Sequence, residues 1–400
     1  MGTNFNVGSF NAINTNEPKK SNSKNGKGSN EDLRKRLMLM GAAILGGAIV
    51  LFLLLFLLSL FMNKNYTYDD IENIMVSAAE SYFSDHPKRL PQSDTQRVEI
   101  DVDTLVASEY MKEMVDYTGE EITCSGKVSV QTNGNDYLYT PRLDCGEDYV
   151  TQSLREVLTK KVVTEGYGLY EVGDSYVYRG EDVKNYLQLD ASLWRIVKVT
   201  EDGEIMLILE DKPYSSVAWD NRYNSQIGYN IGINTYSTSR VKESLDKYYK
   251  SKYNENSSFK SEAILSDDDR SKTVTFDLCT GKRSTSDTTK DNSVECAEIS
   301  EGQKIGLLTA SDYMMASIDT NCNTILNQTC QNYNYLVTDY KWWLVTATAN
   351  STKEAYGVDG GVVESINTSS YMYPRAVIML NSNVLFKSGK GTVNKPYKIK

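Results

Sequence analysis

The hydrophobic pattern changes period several times along the chain. Residues 37–62 carry no charge and read LMLMGAAILGGAIVLFLLLFLLSLFM. Such a run has no polar stripe of the kind a core helix shows. At 1.5 Å per residue it reaches roughly 39 Å, against about 30 Å of bilayer hydrocarbon. It predicts one transmembrane helix, and an uncleaved one, because it is internal and is followed by Asn63, Lys64 and Asn65 rather than by small residues. Ile71, Ile74, Met75, Ala78, Ala79 and Tyr82 then recur at helical spacing, which predicts an amphipathic helix to about Phe83, ended by Pro87 and Pro91. Val98, Ile100 and Val102 alternate as a short strand, and a helix is expected over 105–114. Residues 127–131 and 137–141 alternate around Asn133, Gly134, Asn135 and Asp136, a hairpin pattern.

Beyond residue 153 the chain is rich in tyrosine, with strand-like runs at 175–179, 194–200 and 204–209. Residues 237–253 predict a helix with Val241, Leu245 and Tyr248 or Tyr249 inward. Polar stretches at 254–259 and 283–292 read as surface loops. Late strands are expected at 304–309, 342–346, 376–380 and 383–387, the last two forming a hairpin around Asn381, Ser382 and Asn383. The expected fold class is α+β: a disordered tail over 1–36, a single transmembrane helix over 37–62, a small α+β unit over 63–151, and a larger mixed α+β domain over 152–400.

Charge sets the expected topology. Residues 1–36 hold seven Lys or Arg and three acids, a net +4, whereas only Lys64 lies close on the other flank. The positive-inside bias puts the N-terminus in the cytoplasm and residues 63–400 outside a cell membrane, with the lipid bilayer as a partner. The whole chain carries −10, so the remainder carries −14, which excludes nucleic acid as its partner.

All six cysteines lie beyond residue 62 and predict disulfides. If Thr132 faces Tyr137, counting outward sets Cys124 opposite Cys145, a bond worth about 3 kcal/mol on the chain-entropy model. Six cysteines permit fifteen pairings; proximity favours Cys279 with Cys296 and Cys322 with Cys330, and the sequence leaves the pairing of these four open. There is no CxxC, and the sole histidine, His86, is far from the later cysteines, so no metal and no cofactor are expected.

Candidate chemistry is sparse. A nucleophilic triad needs a base, and His86 sits in an Asp-His-Pro-Lys segment with no partner motif. Gly389 to Thr392 (GKGT) lacks the earlier glycine of a phosphate loop and reads as a turn. Ser266, Asp267, Asp268 and Asp269 offer oxygens but not the EF-hand spacing, and read as a solvated acidic loop. Trp219, Trp342 and Trp343 form the candidate binding surface, because aromatic faces dominate recognition sites. Neighbouring strand residues point to opposite faces, so a strand with one buried face cannot hide both Trp342 and Trp343.

Two stretches resemble known families. Cys124, Gly126, Val128 and Val130, followed by Tyr137, Tyr139, Pro141, Leu143, Cys145, Tyr149 and Thr151, resemble the small sheet of pilin-like surface proteins of Gram-positive bacteria. The 36-residue tail departs from the short pilin leader, and no Glu lies just inside the hydrophobic run. Tyr176 to Gly180, Leu193 to Val197, Ile305 to Tyr313, Trp342 to Leu344, Pro374 to Val377, Gly389 to Thr392 and Pro396-Tyr397 are similar to an uncharacterised family of bacterial cell-surface modules. That resemblance implies a surface protein with a C-type-lectin-like arrangement and no known activity. The functional expectation is a membrane-anchored, non-catalytic binding or adhesion protein whose ligand is a glycan or a surface protein. The alternative is a pilin-like or pseudopilin-like subunit of an envelope assembly, self-associating through Gly41, Gly46 and Gly47 of the hydrophobic helix.

Overall fold

The computed structural model describes residues 34–40, 47, 49–53, 66–93, 96–119, 121–133, 136–190, 192–225, 227–251 and 265–400. The chain divides into two units, Met1–Tyr66 and Thr67–Lys400. In the first, residues 34–40 and 49–53 are helical. Among the described residues no helix is long and apolar enough to cross a membrane. Residues 41–46, 48 and 54–65 of the expected span and its flank lie outside the described residues. The expected fold class is corrected accordingly. The structure is mixed α/β with sheet predominating, and its described residues do not support the expected single-pass anchor or the cytoplasmic-in, extracellular-out placement built on it.

The second unit opens with helix α1 (Tyr68–Asp85), which starts where Thr67 accepts from Asp70 N and the Asp70 carboxylate accepts from Thr67 N. This capping box satisfies two donors that the helix itself leaves unpaired. Ile71, Met75, Ala78, Ala79, Tyr82 and Phe83 are buried, the stripe expected from their spacing. The stripe packs on an antiparallel sheet of β1 (Arg97–Asp101), β2 (Ser125–Asn133) and β3 (Asp136–Asp144), in the order β1-β2-β3. A Cβ on Gly126 would stand 2.7 Å from Met75 Cε and 3.0 Å from the Arg142 carbonyl, so the close approach of helix to sheet requires glycine there. The hairpin has the expected register, Thr132 opposite Tyr137, and Cys124 bonds Cys145 just beyond the Ser125–Asp144 pair. The helix expected over 105–114 is instead two short ones, α2 (Val102–Ala107) and α3 (Val115–Thr118), separated by Glu109 at φ 63°.

After α4 (Leu154–Thr159), the chain builds an antiparallel sheet from β4 (Gly168–Val172), β5 (Ser175–Arg179), β6 (Tyr186–Leu189), β7 (Ser192–Val199), β8 (Ile205–Leu209), β10 (Thr273–Val274) and β17 (Val377–Leu380). Its order is β10-β17-β8-β7-β5-β4, with β6 also on β7. β8 and β17 are buried at every position, which is why their sequences are continuous apolar runs rather than alternating ones. A second sheet holds β13 (Trp342–Ala347), β14 (Glu354–Asp359) and β15 (Val362–Asn367). Two-stranded ribbons join β9 (Val217–Ala218) to β16 (Tyr371–Met372), β11 (Phe276–Cys279) to β12 (Ile299–Gln303), and β18 (Phe386–Ser388) to β19 (Lys398–Ile399). Helix α5 (Arg240–Lys250) buries Val241, Leu245 and Tyr248 as its spacing predicts. Cys279 bonds Cys296 and Cys322 bonds Cys330.

Two expectations fail here. The late hairpin does not form: β17 pairs with β8 and β10, and the Asn381 turn sends the chain to β19 and to the entrance of α4, where Leu154 N bonds Val384 O. Residues 304–309 contribute only the isolated bridge Gly306–Val377. The polar stretch at 254–259 lies outside the described residues.

Candidate functional site

The aromatic surface expected from sequence is not a surface. Trp219, Trp342 and Trp343 are all 0% exposed, because β13 is covered on both faces. Trp343 meets Trp219 edge to face at 5.8 Å and donates to Val217 O at 3.0 Å. Trp342 lies against Tyr313 and under the Arg375 guanidinium, 5.2 Å from the ring centre. The loop expected at the surface over 283–292 is likewise anchored inward. Arg283 is fully buried and bonds Glu295 through Nε at 2.9 Å and Nη2 at 3.1 Å, with Ser311 Oγ at 2.7 Å and Asp287 Oδ1 at 3.0 Å. His86 uses Nδ1 on Tyr82 O at 2.8 Å and stacks on that tyrosine's ring.

The acidic run resolves into a capped turn of helix. Ser266 accepts from Asp269 N, Asp267 pairs with Arg270, and Asp268 pairs with Lys272. Only Asp269 turns inward, toward Asp190 of the β6–β7 turn. Among the described residues no group of three or more His, Cys, Asp and Glu side chains is placed to hold a metal ion. Residues 389–392 make a turn, with Gly389 and Gly391 both at positive φ.

A concave feature of the second unit, among the described residues, is on the face of the small sheet that α1 leaves open. Side chains alternate along a strand, so β1, β2 and β3 in their observed register put three rows on this face. They are Arg97, Gln131 and Leu138; Glu99, Ser129 and Thr140; and Asp101, Lys127 and Arg142. The opposite face carries Ile100, Val128, Val130 and Pro141 against α1. Arg97 of the first row, all of the second and third rows, and Glu156 of α4 as a wall line a groove of about 680 Å³.

Its charges are held in place. Lys127 Nζ meets Glu99 Oε2 at 2.6 Å, and Arg142 Nη1 meets Glu156 Oε2 at 3.1 Å. Glu156 also accepts from Ser153 N at 2.6 Å and Ser153 Oγ at 2.9 Å in the capping box of α4. Burial raises the Glu156 carboxyl, but the Ser153 and Arg142 hydrogen bonds outweigh it and hold it below the usual range. At one end Asn383 donates to Gln131 Oε1 at 3.0 Å, and at the other Leu143 N donates to Thr151 Oγ1 at 2.8 Å.

The floor is different. Ser129 and Thr140, directly opposite one another on β2 and β3, are 7% and 6% exposed. Neither hydroxyl has a hydrogen-bond partner among the described residues, and both line the groove. Sequence reasoning passed over these residues, although the signal was present: Ser129, Lys127 and Gln131 interrupt the apolar positions of β2 at period two.

A smaller cleft of about 240 Å³ lies behind, between α1, β3 and the Asn381 turn, lined by Val76, Tyr139, Pro141, Val384 and Leu385. Its rim is the Lys400 ammonium, which bonds Asp69, Glu72 and, at 3.0 Å, Tyr149 OH. Burial by itself would lower this lysine, but those three bonds outweigh it and raise it above the ordinary range. Compared with known proteins, the chain matches no protein-family model, no curated protein and no solved structure.

Proposed function

We propose that this chain is a non-catalytic recognition protein, of the binding or adhesion kind, that takes its ligand in the groove over β1, β2 and β3. The observation that carries this is the groove itself, whose floor presents the unpartnered hydroxyls of Ser129 and Thr140 between two fixed ion pairs. These hydroxyls open to the groove and spend no bond inside the protein, so a ligand lying on the sheet can take up both without breaking a protein contact. The fixed ion pairs on either side give that ligand a prearranged polar frame. Three disulfides suit work in an oxidising compartment. The resemblance to bacterial surface modules points the same way.

The test is a binding screen of the full-length oxidised protein against immobilised polysaccharides and peptide libraries, with S129A/T140V alongside. Loss of two ligand hydrogen bonds at about 1 kcal/mol each predicts a roughly tenfold or greater weakening of a saturable interaction. A ligand bound equally by both proteins would remove the groove from the account.

A further inference from the structure

We propose that the ligand of this groove is an extended, basic peptide segment, an inference that rests on the recognition reading above. The lining holds three cations, Arg97, Lys127 and Arg142, against five acids, Glu99, Asp101, Asp103, Asp144 and Glu156. Two of the cations are already committed to Glu99 and Glu156. Arg97 is turned to Gln131, with Nη2 3.2 Å from its Oε1.

The uncompensated charge gathers at one end. Asp101 stands at the N-cap position of α2, yet its side chain makes no capping bond. Asp103 follows in the first turn, and neither carboxylate has a partner among the described residues. Asp144, across the sheet at the same end, uses Oδ1 on its own turn at Gly146 N. A ligand cation reaching this end meets carboxylates that need no ion pair broken.

The floor decides between a peptide and a sugar. A serine or threonine hydroxyl both donates and accepts, which suits the N–H and C=O of a backbone. A pyranose ring has an apolar C–H face that stacks on aromatic side chains, and among the described residues no aromatic side chain lines the groove. Two inter-strand spacings make the face about 10 Å wide, room for about three residues of extended chain crossing the rows. The net negative charge of the chain would steer a cationic segment toward the site.

The experiment uses the full-length oxidised protein and four probes: a capped lysine–serine hexapeptide, its glutamate–serine and glycine–serine counterparts, and a neutral linear hexasaccharide. Affinity is measured by calorimetry for the native chain, D101N/D103N and S129A/T140V, each checked for native thermal unfolding. The expected result is saturable binding of the lysine–serine peptide only. It weakens about tenfold in each double variant and falls steeply with added salt. Binding of the hexasaccharide instead, lost in S129A/T140V, would overturn the basic peptide and leave groove recognition standing. Binding of the lysine peptide that neither double variant changes, or no binding of any probe by folded protein, would overturn both.

Discussion

Arg283 shows what a single residue contributes once its surroundings are known. Its guanidinium and the Glu295 carboxylate are both 0% exposed, and Ser311 and Thr346 add hydrogen bonds around them. The tyrosine hydroxyl of Tyr356 and the amide of Ala349 both bond the Arg283 carbonyl. Removing Arg283 strands the Glu295 carboxylate in a dry site, so Arg283→Met is expected to cost about 3–5 kcal/mol in chemical denaturation, and Glu295→Gln, which leaves Arg283 its Asp287 partner, should cost less. The double variant R283M/E295L should cost less than the two single effects added, because the one carboxylate left behind, Asp287, is partly exposed to water.

Asp269 gives a pH signature at the same scale. It is 4% exposed, and its carboxyl is pushed up to about 7, first by burial and then by facing Asp190, with Asp268 adding and Lys272 opposing. In the unfolded chain an aspartate titrates near about 4. Between these values Asp269 holds a proton in the folded protein that the unfolded chain has released, so this residue's contribution to stability falls as pH rises from about 4 to about 7 and then levels. Asp269→Asn is expected to flatten that slope in unfolding midpoints measured across the window.

Among the elements, α1 and the β2–β3 hairpin were legible because each is specified by residues near in sequence. A 3.6-residue stripe with a Thr67–Asp70 cap sets the helix, and period-two alternation around a turn sets the register. The bond Cys124–Cys145 follows from that register and closes a loop of 21 residues in sequence separation. Replacing both cysteines by serine is expected to lower stability by about 3 kcal/mol in denaturant unfolding, with a somewhat steeper slope because the uncrosslinked unfolded chain exposes more surface. The hairpin expected over 376–387 failed although its turn is real. Val384 N bonds Asn381 O, but β17 finds β8, more than 160 residues away, and alternation cannot name a partner at that distance.

For the whole molecule, the decisive contacts join the two ends of the second unit. The Lys400 ammonium meets Asp69 and Glu72 of α1 and Tyr149 beyond β3, while Tyr149 and Thr151 also bond the 2%-exposed Glu72. Tyr68 stacks on Tyr149 at 4.4 Å. Lys400→Met leaves Glu72 without its cation, and amide hydrogen exchange in α1 should speed up by about tenfold or more, while exchange in the β7–β8 core stays unchanged. Equal exchange in both proteins would mean that α1 is held by its apolar stripe alone.

The sequence by itself determined the features that short-range rules govern: the stripe of α1, the register of β2 on β3 with its Cys124–Cys145 bond, the buried face of α5, and the runs that become β5, β7 and β8. Tertiary structure decided which faces are covered. Trp342 and Trp343 are both core because elements pack on each side of β13, and Arg283 is buried because Glu295 and Ser311 are brought to it. The groove arises in the same way, since Glu156 meets Arg142 only after α4 folds back on the sheet. Burial and partner choice are properties of the packed core as a whole, and no local period encodes them.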